Sequence, residues 1–152
     1  MSLKFKIVLT FLGIETWLSV YSSGIQMEHS SSKDSSTISA LFYYPIKCLV
    51  YCGALRYVTN KDPLDKKTSK FVPLDSEMAE KSHNLQNPPL FVVFLKGIDS
   101  TTKTPIIECS LFVVGMKKTA MKLVECCQEA FSSTNVSIYD FYKRYGNIYE
   151  II

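Results

Sequence analysis

Five cysteines, two histidines and two arginines hold most of the reactive chemistry in this 152-residue chain. Cys48 and Cys52 share one apolar run, Cys109 lies in another, and Cys126 and Cys127 are adjacent. Cys126-Cys127 is not a Cys-x-x-Cys pair, and neither His29 nor His83 stands near a cysteine, so metal-ligand spacing is absent. A cysteine nucleophile needs a base and an exposed position, and Cys126-Cys127 shows neither. Two histidines in predicted loops assemble no Ser-His-Asp set, and no glycine-rich phosphate loop is present. The expectation is a non-catalytic protein without metal or cofactor. Four of the five cysteines fall inside predicted strands or helices, which reads as buried free thiols in a reducing compartment.

Phosphate recognition favours arginine, whose planar fork binds two oxygens at once where lysine offers a point charge. Arg56 and Arg144 are the only arginines. The net charge is +3 and comes from lysine, which argues against a nucleic-acid reader. With 47% hydrophobic and 20% charged residues, the chain can build one globular domain with a core.

Residues 89–131 must position whatever site exists. They read PLFVVFLKG, a polar turn over Asp99-Ser100-Thr101-Thr102-Lys103, then PIIECSLFVV and GMKKTAMKLVECCQEAF. Val, Ile and Phe in two short runs predict a β-hairpin. Ala120, Leu123, Val124, Cys127 and Phe131 then fall on one face of an α-helix. Lys117 and Lys118 at its start oppose the helix dipole.

Upstream, Lys4 and Lys6 precede an apolar run from Ile7 to Ile14, and Ser22-Ser23-Gly24 supplies small residues. That sketches a signal peptide, interrupted by Glu15 and too short to span a membrane. The competing reading is two strands, KFKIVLTFLGI and TWLSVYSSGI. Residues 30–39 are serine-rich and predict a loop or hairpin tip. Residues 42–51 return to strand character with Pro45 near the start, which suggests an edge strand with free N–H and C=O groups. Residues 59–88 are polar, with Lys66, Lys67, Lys70, Pro63 and Pro73, and predict a long connection with a short helix within 76–85. The serine-rich stretch after Phe131 ends the helix. A tail with four tyrosines follows, holding an Asn135-Val136-Ser137 sequon and a Tyr149-Glu150-Ile151-Ile152 segment of the kind SH2 domains read when phosphorylated.

The order of these segments resembles the phosphotyrosine-binding (PTB) domain, tensin-like variety, over about residues 16–131. Phe42-Tyr43-Tyr44-Pro45-Ile46-Lys47-Cys48-Leu49-Val50-Tyr51-Cys52 is similar to that family's aromatic-Pro-Leu/Ile strand. Leu90 to Lys96 resembles its FxFVA strand. Glu108-Cys109-Ser110-Leu111-Phe112 resembles Cys-His-Leu/Val-Phe, with Ser110 where His is usual. The Trp17 to Ile25 segment and the Ala120 to Phe131 helix complete the order. Two features depart from the family: Trp17 follows Thr10-Phe11-Leu12-Gly13 too soon for the usual intervening helix, as in a chain shortened at its N-terminus, and the loop after Cys52 is long.

The resemblance implies an α+β, pleckstrin-homology-like (PH-like) antiparallel β-sandwich or partly open barrel, capped by a C-terminal helix. It implies an adaptor that adds a tyrosine-containing Asn-Pro-x-Tyr peptide, from a receptor tail or signalling protein, to an edge strand beside that helix. Peptide-binding residues would be Lys47, Cys48, Leu49, Val50, Tyr51, Cys52 and Gly53, with Cys127 and Phe131 as the helix wall. Plain core is the competing reading for the helix residues, Val124 and Leu123 especially. Arg56, with Lys47 assisting, is the candidate phosphate contact, against an ordinary solvated charge, so binding should tolerate unphosphorylated tyrosine. The implied place is cytoplasmic or at the membrane periphery. One alternative is a lipid-surface module that gathers Lys47, Lys66, Lys67, Lys70, Lys117 and Lys118 on one face toward a phosphoinositide. Another is a small secreted domain cleaved near Gly24, with a disulfide from Cys48 or Cys52 to Cys109.

Overall fold

The computed structural model describes the chain over residues 3–9, 14–31, 38–61 and 67–133. Eight strands make two antiparallel sheets. The first sheet orders β1 (Leu3–Leu9), β2 (Ile14–Tyr21), β3 (Gly24–Ser31) and β4 (Ile38–Pro45) as neighbours in sequence. A 3-10 turn, Ile46–Cys48, leads into the second sheet. That sheet holds β5 (Leu49–Lys61), β6 (Lys67–Pro73), β7 (Leu90–Ile98) and β8 (Pro105–Val113) in the order β6-β5-β7-β8. A one-turn helix α1 (Glu77–Glu80) follows β6, and α2 (Lys117–Ser132) closes the described chain. The architecture is α+β: antiparallel sheets, one of them curled, with a C-terminal helix.

The N-terminal segment is two paired strands, with Leu3 opposite Val20 and Leu9 opposite Ile14. Leu18 and Val20 of β2 are core residues, so cleavage near Gly24 would remove half of the first sheet. β1 also lies against β8, which brings the two sheets together along that seam. Four residues separate β1 from β2.

The expected strand over 42–51 is two strands. Proline has no N–H and fixes its own φ, and Pro45 ends β4 at the sheet edge. The chain then turns through Ile46, whose N–H donates to the Ser23 carbonyl at 2.9 Å. The expected long connection over 59–88 is also corrected. β5 runs on to Lys61 and pairs with β6 from Leu55↔Pro73 to Lys61↔Lys67. Val72, Leu74, Ala79 and Asn84 within that stretch are buried. In β6 the exposed Thr68, Ser69 and Lys70 precede the half-buried Phe71 and buried Val72, so the strand starts polar and ends in the core. The short helix within 76–85 is one turn, capped by Ser76, whose hydroxyl accepts from the Ala79 N–H at 3.4 Å.

The main core lies between the sheets and α2. It joins Leu18, Val20, Ile25 and Met27 to Phe91, Val93, Leu95 and Phe112, with Leu123, Cys127 and Phe131 from the helix. Phe91 and Phe112 stack with centroids 6.1 Å apart. A second cluster, Val50, Tyr51, Leu55, Leu90, Val92 and Phe94, occupies the other face of the second sheet. β7 is thus buried on both faces, which is why its sequence reads as an unbroken apolar run.

The hairpin loop between β7 and β8 is built on Asp99, whose carboxylate accepts from the N–H groups of Thr101 and Thr102, each at 2.8 Å. Those bonds hold its carboxyl below the ordinary value. Lys103 adopts φ 60°, the left-handed region that side chains with a Cβ resist. Lys103→Gly should therefore raise stability by about 0.5–1 kcal/mol, read as a higher midpoint in thermal denaturation.

Across the sandwich, the Tyr44 hydroxyl donates to Glu108 at 2.8 Å. Burial first, then the Glu108 carboxylate, pushes the phenol up to about 12. An unfolded tyrosine ionises near 10. The stabilising contribution is thus fully present below pH 10 and is lost as pH rises toward 12. Ultraviolet titration should show a late-ionising phenol that is missing in Tyr44→Phe, and the variant should lose less stability over that range.

Candidate functional site

β5 is thirteen residues long and has different neighbours along its two halves. From Leu49 to Leu55 it pairs with β7 on one side, with an irregularity between Leu49 and Tyr51. From Leu55 to Lys61 it pairs with β6 on the other. Pro73 ends β6 opposite Leu55 because it has no N–H to continue the ladder. The Leu74 N–H still donates to the Ala54 carbonyl at 3.0 Å, so Ala54 turns its backbone toward the β6 side. Backbone direction alternates along a strand, so Cys52 turns its N–H and C=O the same way. Among the described residues no strand stands opposite Cys52 on that side.

The complementary half, where β7 has not begun, is satisfied differently. Asn87 Nδ2 donates to the Tyr57 carbonyl at 2.7 Å. The Thr59 N–H donates to Asn84 Oδ1 at 3.1 Å, and His83 Nε2 lies 3.0 Å from the Thr59 carbonyl. The polar segment 83–87 thus replaces a strand there. On its core face the 49–53 half of β5 meets α2. The Cys52 thiol lies 4.0 Å from the Val124 carbonyl, and the helix packs along β5.

The expected site residues distribute around this half-strand. Lys47 is exposed and Cys48 half-buried, both in the 3-10 turn and not on a strand edge. Leu49 and Cys52 enter the main core, and Val50 and Tyr51 the second cluster. Gly53 sits under the Tyr51 ring, where a Cβ would stand 2.5 Å from the phenol oxygen. Any larger residue there displaces Tyr51. Cys127 and Phe131 are buried at 0% and 5% exposure and fill the core beneath the helix.

Arg56 is not a solvated charge. It is 4% exposed, and its guanidinium donates through Nη1 to the Asn87 carbonyl. Its Nε is buried without a hydrogen-bond partner. Glu80 of α1 feels its positive charge. Arg56 therefore ties β5 to the segment after α1.

The helix flank beside this half of β5 was not read from the sequence. Lys117, Met121, Val124 and Gln128 recur at offsets of four, seven and eleven, one stripe along α2. Lys117 at one end pairs with Glu80, and Val124 at the middle meets Cys52. The stripe borders the buried face, and its half-apolar character hid it. Glu80 answers the misplaced cation at the helix start: Lys117 holds its carboxyl below the ordinary value and Glu80 supplies the anion that a helix N-terminus favours.

The described lysines of that expected face sit on different elements. Lys117 is engaged with Glu80, Lys70 is on β6, and Lys47 precedes β5. Lys66 lies outside the described residues, as do the sequon and the tyrosine-rich tail. His29 belongs to β3, where its Nδ1 lies 2.7 Å from the buried Thr16 hydroxyl, and burial lowers its pKa. The disulfide expected from Cys48 or Cys52 to Cys109 does not form. All five cysteines are free. β7 separates β5 from β8, a span of about 9–10 Å, beyond the roughly 7 Å that a disulfide bridges. Cys109 also lies next to Ser110, the residue in register with Cys52 through Val93, and so faces the opposite side of the sheet.

A second sheet edge is present. β4 closes the first sheet, carries no charged residue, and exposes Leu41 at 63%, Phe42 at 46% and Tyr43 at 48%. Uncharged edge strands are templates for pairing with another chain. Among the described residues no cluster of His, Cys, Asp and Glu could hold a metal, and no helix is long and apolar enough to cross a membrane. Comparison with protein-family models, with curated proteins and with solved structures finds no match for this chain.

Proposed function

We propose that this chain is a PTB-like, PH-like adaptor domain that binds an extended, tyrosine-containing peptide by strand addition to β5 beside α2. One observation supports the reading: β6 stops opposite Leu55, so the backbone of Cys52 turns to a side with no strand opposite it among the described residues. An added strand would take that place, giving main-chain hydrogen bonds, while the Met121, Val124 and Gln128 flank selects side chains. The half-strand is buried, so the peptide enters as α2 moves aside.

Burial of Arg56 supports a partner whose tyrosine is unphosphorylated, because no other described arginine is available for a bidentate phosphate contact. Five free thiols fit a cytoplasmic or membrane-peripheral setting. A second reading keeps strand addition but moves it to β4, supported by the exposure of Leu41, Phe42 and Tyr43.

A fluorescence titration with labelled Asn-Pro-x-Tyr peptides tests the proposal. The expected result is saturable binding, with phosphorylated and plain peptides differing by less than about tenfold, or 1.4 kcal/mol. The double substitution Met121→Glu with Gln128→Glu, both on exposed positions, should weaken binding by at least about tenfold. No binding by folded protein would end the peptide reading.

A further inference from the structure

Of the strands at the sheet edges, β4 alone carries no charge. β1 and β8 lie against each other and hold Lys4, Lys6 and Glu108. β6 holds Lys67 and Lys70, the residue type that commonly keeps a free edge from pairing. β4 reads Ile38-Ser39-Ala40-Leu41-Phe42-Tyr43-Tyr44-Pro45, and among the described residues no strand pairs with its outer side. The register shows which backbone groups face out. Gly24 pairs with Pro45 and Met27 with Phe42, and the next pair in that series joins the Ile46 N–H to the Ser23 carbonyl at 2.9 Å. Backbone direction alternates along a strand. Tyr44, Phe42 and Ala40 therefore turn their N–H and C=O groups to β3, and Tyr43, Leu41 and Ser39 turn theirs to the open side. Pro45, next in the outward series, has no N–H to offer and ends the set.

We infer that two copies of this chain pair antiparallel along β4, about a two-fold axis at Leu41. Leu41 then stands opposite Leu41 of the second copy, and Ser39 opposite Tyr43. Each such pair exchanges two hydrogen bonds, so every outward N–H from Ser39 to Tyr43 gains an acceptor. Phe42 stands opposite Ala40, an exposed ring beside an exposed small residue. Leu41, otherwise 63% exposed, meets its own copy at cross-strand distance. Charge selects the second copy as occupant. A two-fold axis sets each strand against an identical one, and like charges brought opposite are destabilising. Lys67 and Lys70 oppose such a pairing of β6, while β4 brings no charge to it. The two four-stranded sheets become one continuous sheet joined through β4. The proposed peptide site is on β5, in the other sheet, so the dimer does not depend on that reading.

The test measures the mass of the full 152-residue chain by sedimentation velocity, from about 1 μM to about 1 mM. The expected result is a reversible rise from the 17.2 kDa of one chain to twice that mass. Amide hydrogen exchange on the same samples should slow at Leu41 and Tyr43 as the dimer forms, and stay slow at Phe42 and Tyr44 throughout. Leu41→Lys sets two lysines face to face and should weaken the dimer by at least about tenfold, with an unchanged circular dichroism spectrum. If that variant does not fold, the exchange pattern of the unsubstituted protein decides by itself. A monomer over the whole range would overturn the inference. So would a dimer that leaves the Leu41 and Tyr43 amides unprotected or that Leu41→Lys does not weaken. Protection of those amides in a monomer at every dilution would give the edge to another segment of the same chain. Protection only on adding an Asn-Pro-x-Tyr peptide would give it to a foreign strand. Either result overturns the second copy.

Discussion

Phe131→Ala is expected to lower the unfolding free energy by about 3–5 kcal/mol, the usual loss for deleting a buried aromatic side chain. Phe131 is 5% exposed and packs in the main core with Leu123, Cys127 and Ala130 on the face of α2 that covers both sheets. A domain of this size is stable by only about 5–15 kcal/mol, so the variant should melt far lower and lose peptide binding through loss of fold. Chemical denaturation followed by circular dichroism checks it. A stability unchanged within about 1 kcal/mol would show that the ring lines a groove and not the core. The same argument makes Phe131 a poor probe of binding, and Met121 and Gln128 good ones.

Arg56→Ala is expected to cost about 3 kcal/mol. The substitution removes a long side chain from a site 4% exposed, takes its donor from the Asn87 carbonyl, and leaves Glu80 with Lys117 alone. A buried acceptor left without a partner costs about 1–3 kcal/mol, and the vacated volume adds to it. Urea denaturation measures the loss. The discriminating comparison is affinity for phosphorylated against plain peptide in whatever fraction remains folded. The structural role predicts that their ratio stays the same; a ratio falling more than about tenfold would restore Arg56 as a phosphate contact.

The hairpin and closing helix were legible because β7 is an unbroken apolar run buried on both faces, β8 alternates, and α2 has a helical period with one buried face. Residues 90–98, 105–113 and 117–132 carry that signal. The break at Pro45 was visible as a proline, but a single strand with proline near its start and two strands meeting at it have the same composition. The choice depends on Ile46 bonding to Ser23 twenty-three residues earlier. β6 was hidden for a related reason. Its register rests on pairing with β5, and its Thr68, Ser69 and Lys70 are exposed, so locally it reads as loop.

At the candidate site the sequence signalled a strand and a helix but not where their side chains sit. Lys47 and Cys48 fell to the turn, and Cys127 and Phe131 to the core. A helix has flanks as well as a face, and which flank borders a strand edge is decided by tertiary contacts such as Lys117 with Glu80 and Cys52 with Val124. Arg56 was hidden because a charged residue on a strand is usually solvated, and only the Asn87 carbonyl and Glu80 make its burial tolerable.

The most direct test is to follow backbone amide signals of isotope-labelled protein by NMR while an unphosphorylated Asn-Pro-x-Tyr peptide is added. Strand addition at β5 predicts the largest changes at the Cys52 amide and along Met121, Val124 and Gln128, with slowed hydrogen exchange at Cys52. Changes confined to residues 38–45, with Cys52 unmoved, would contradict the account and place the site on β4.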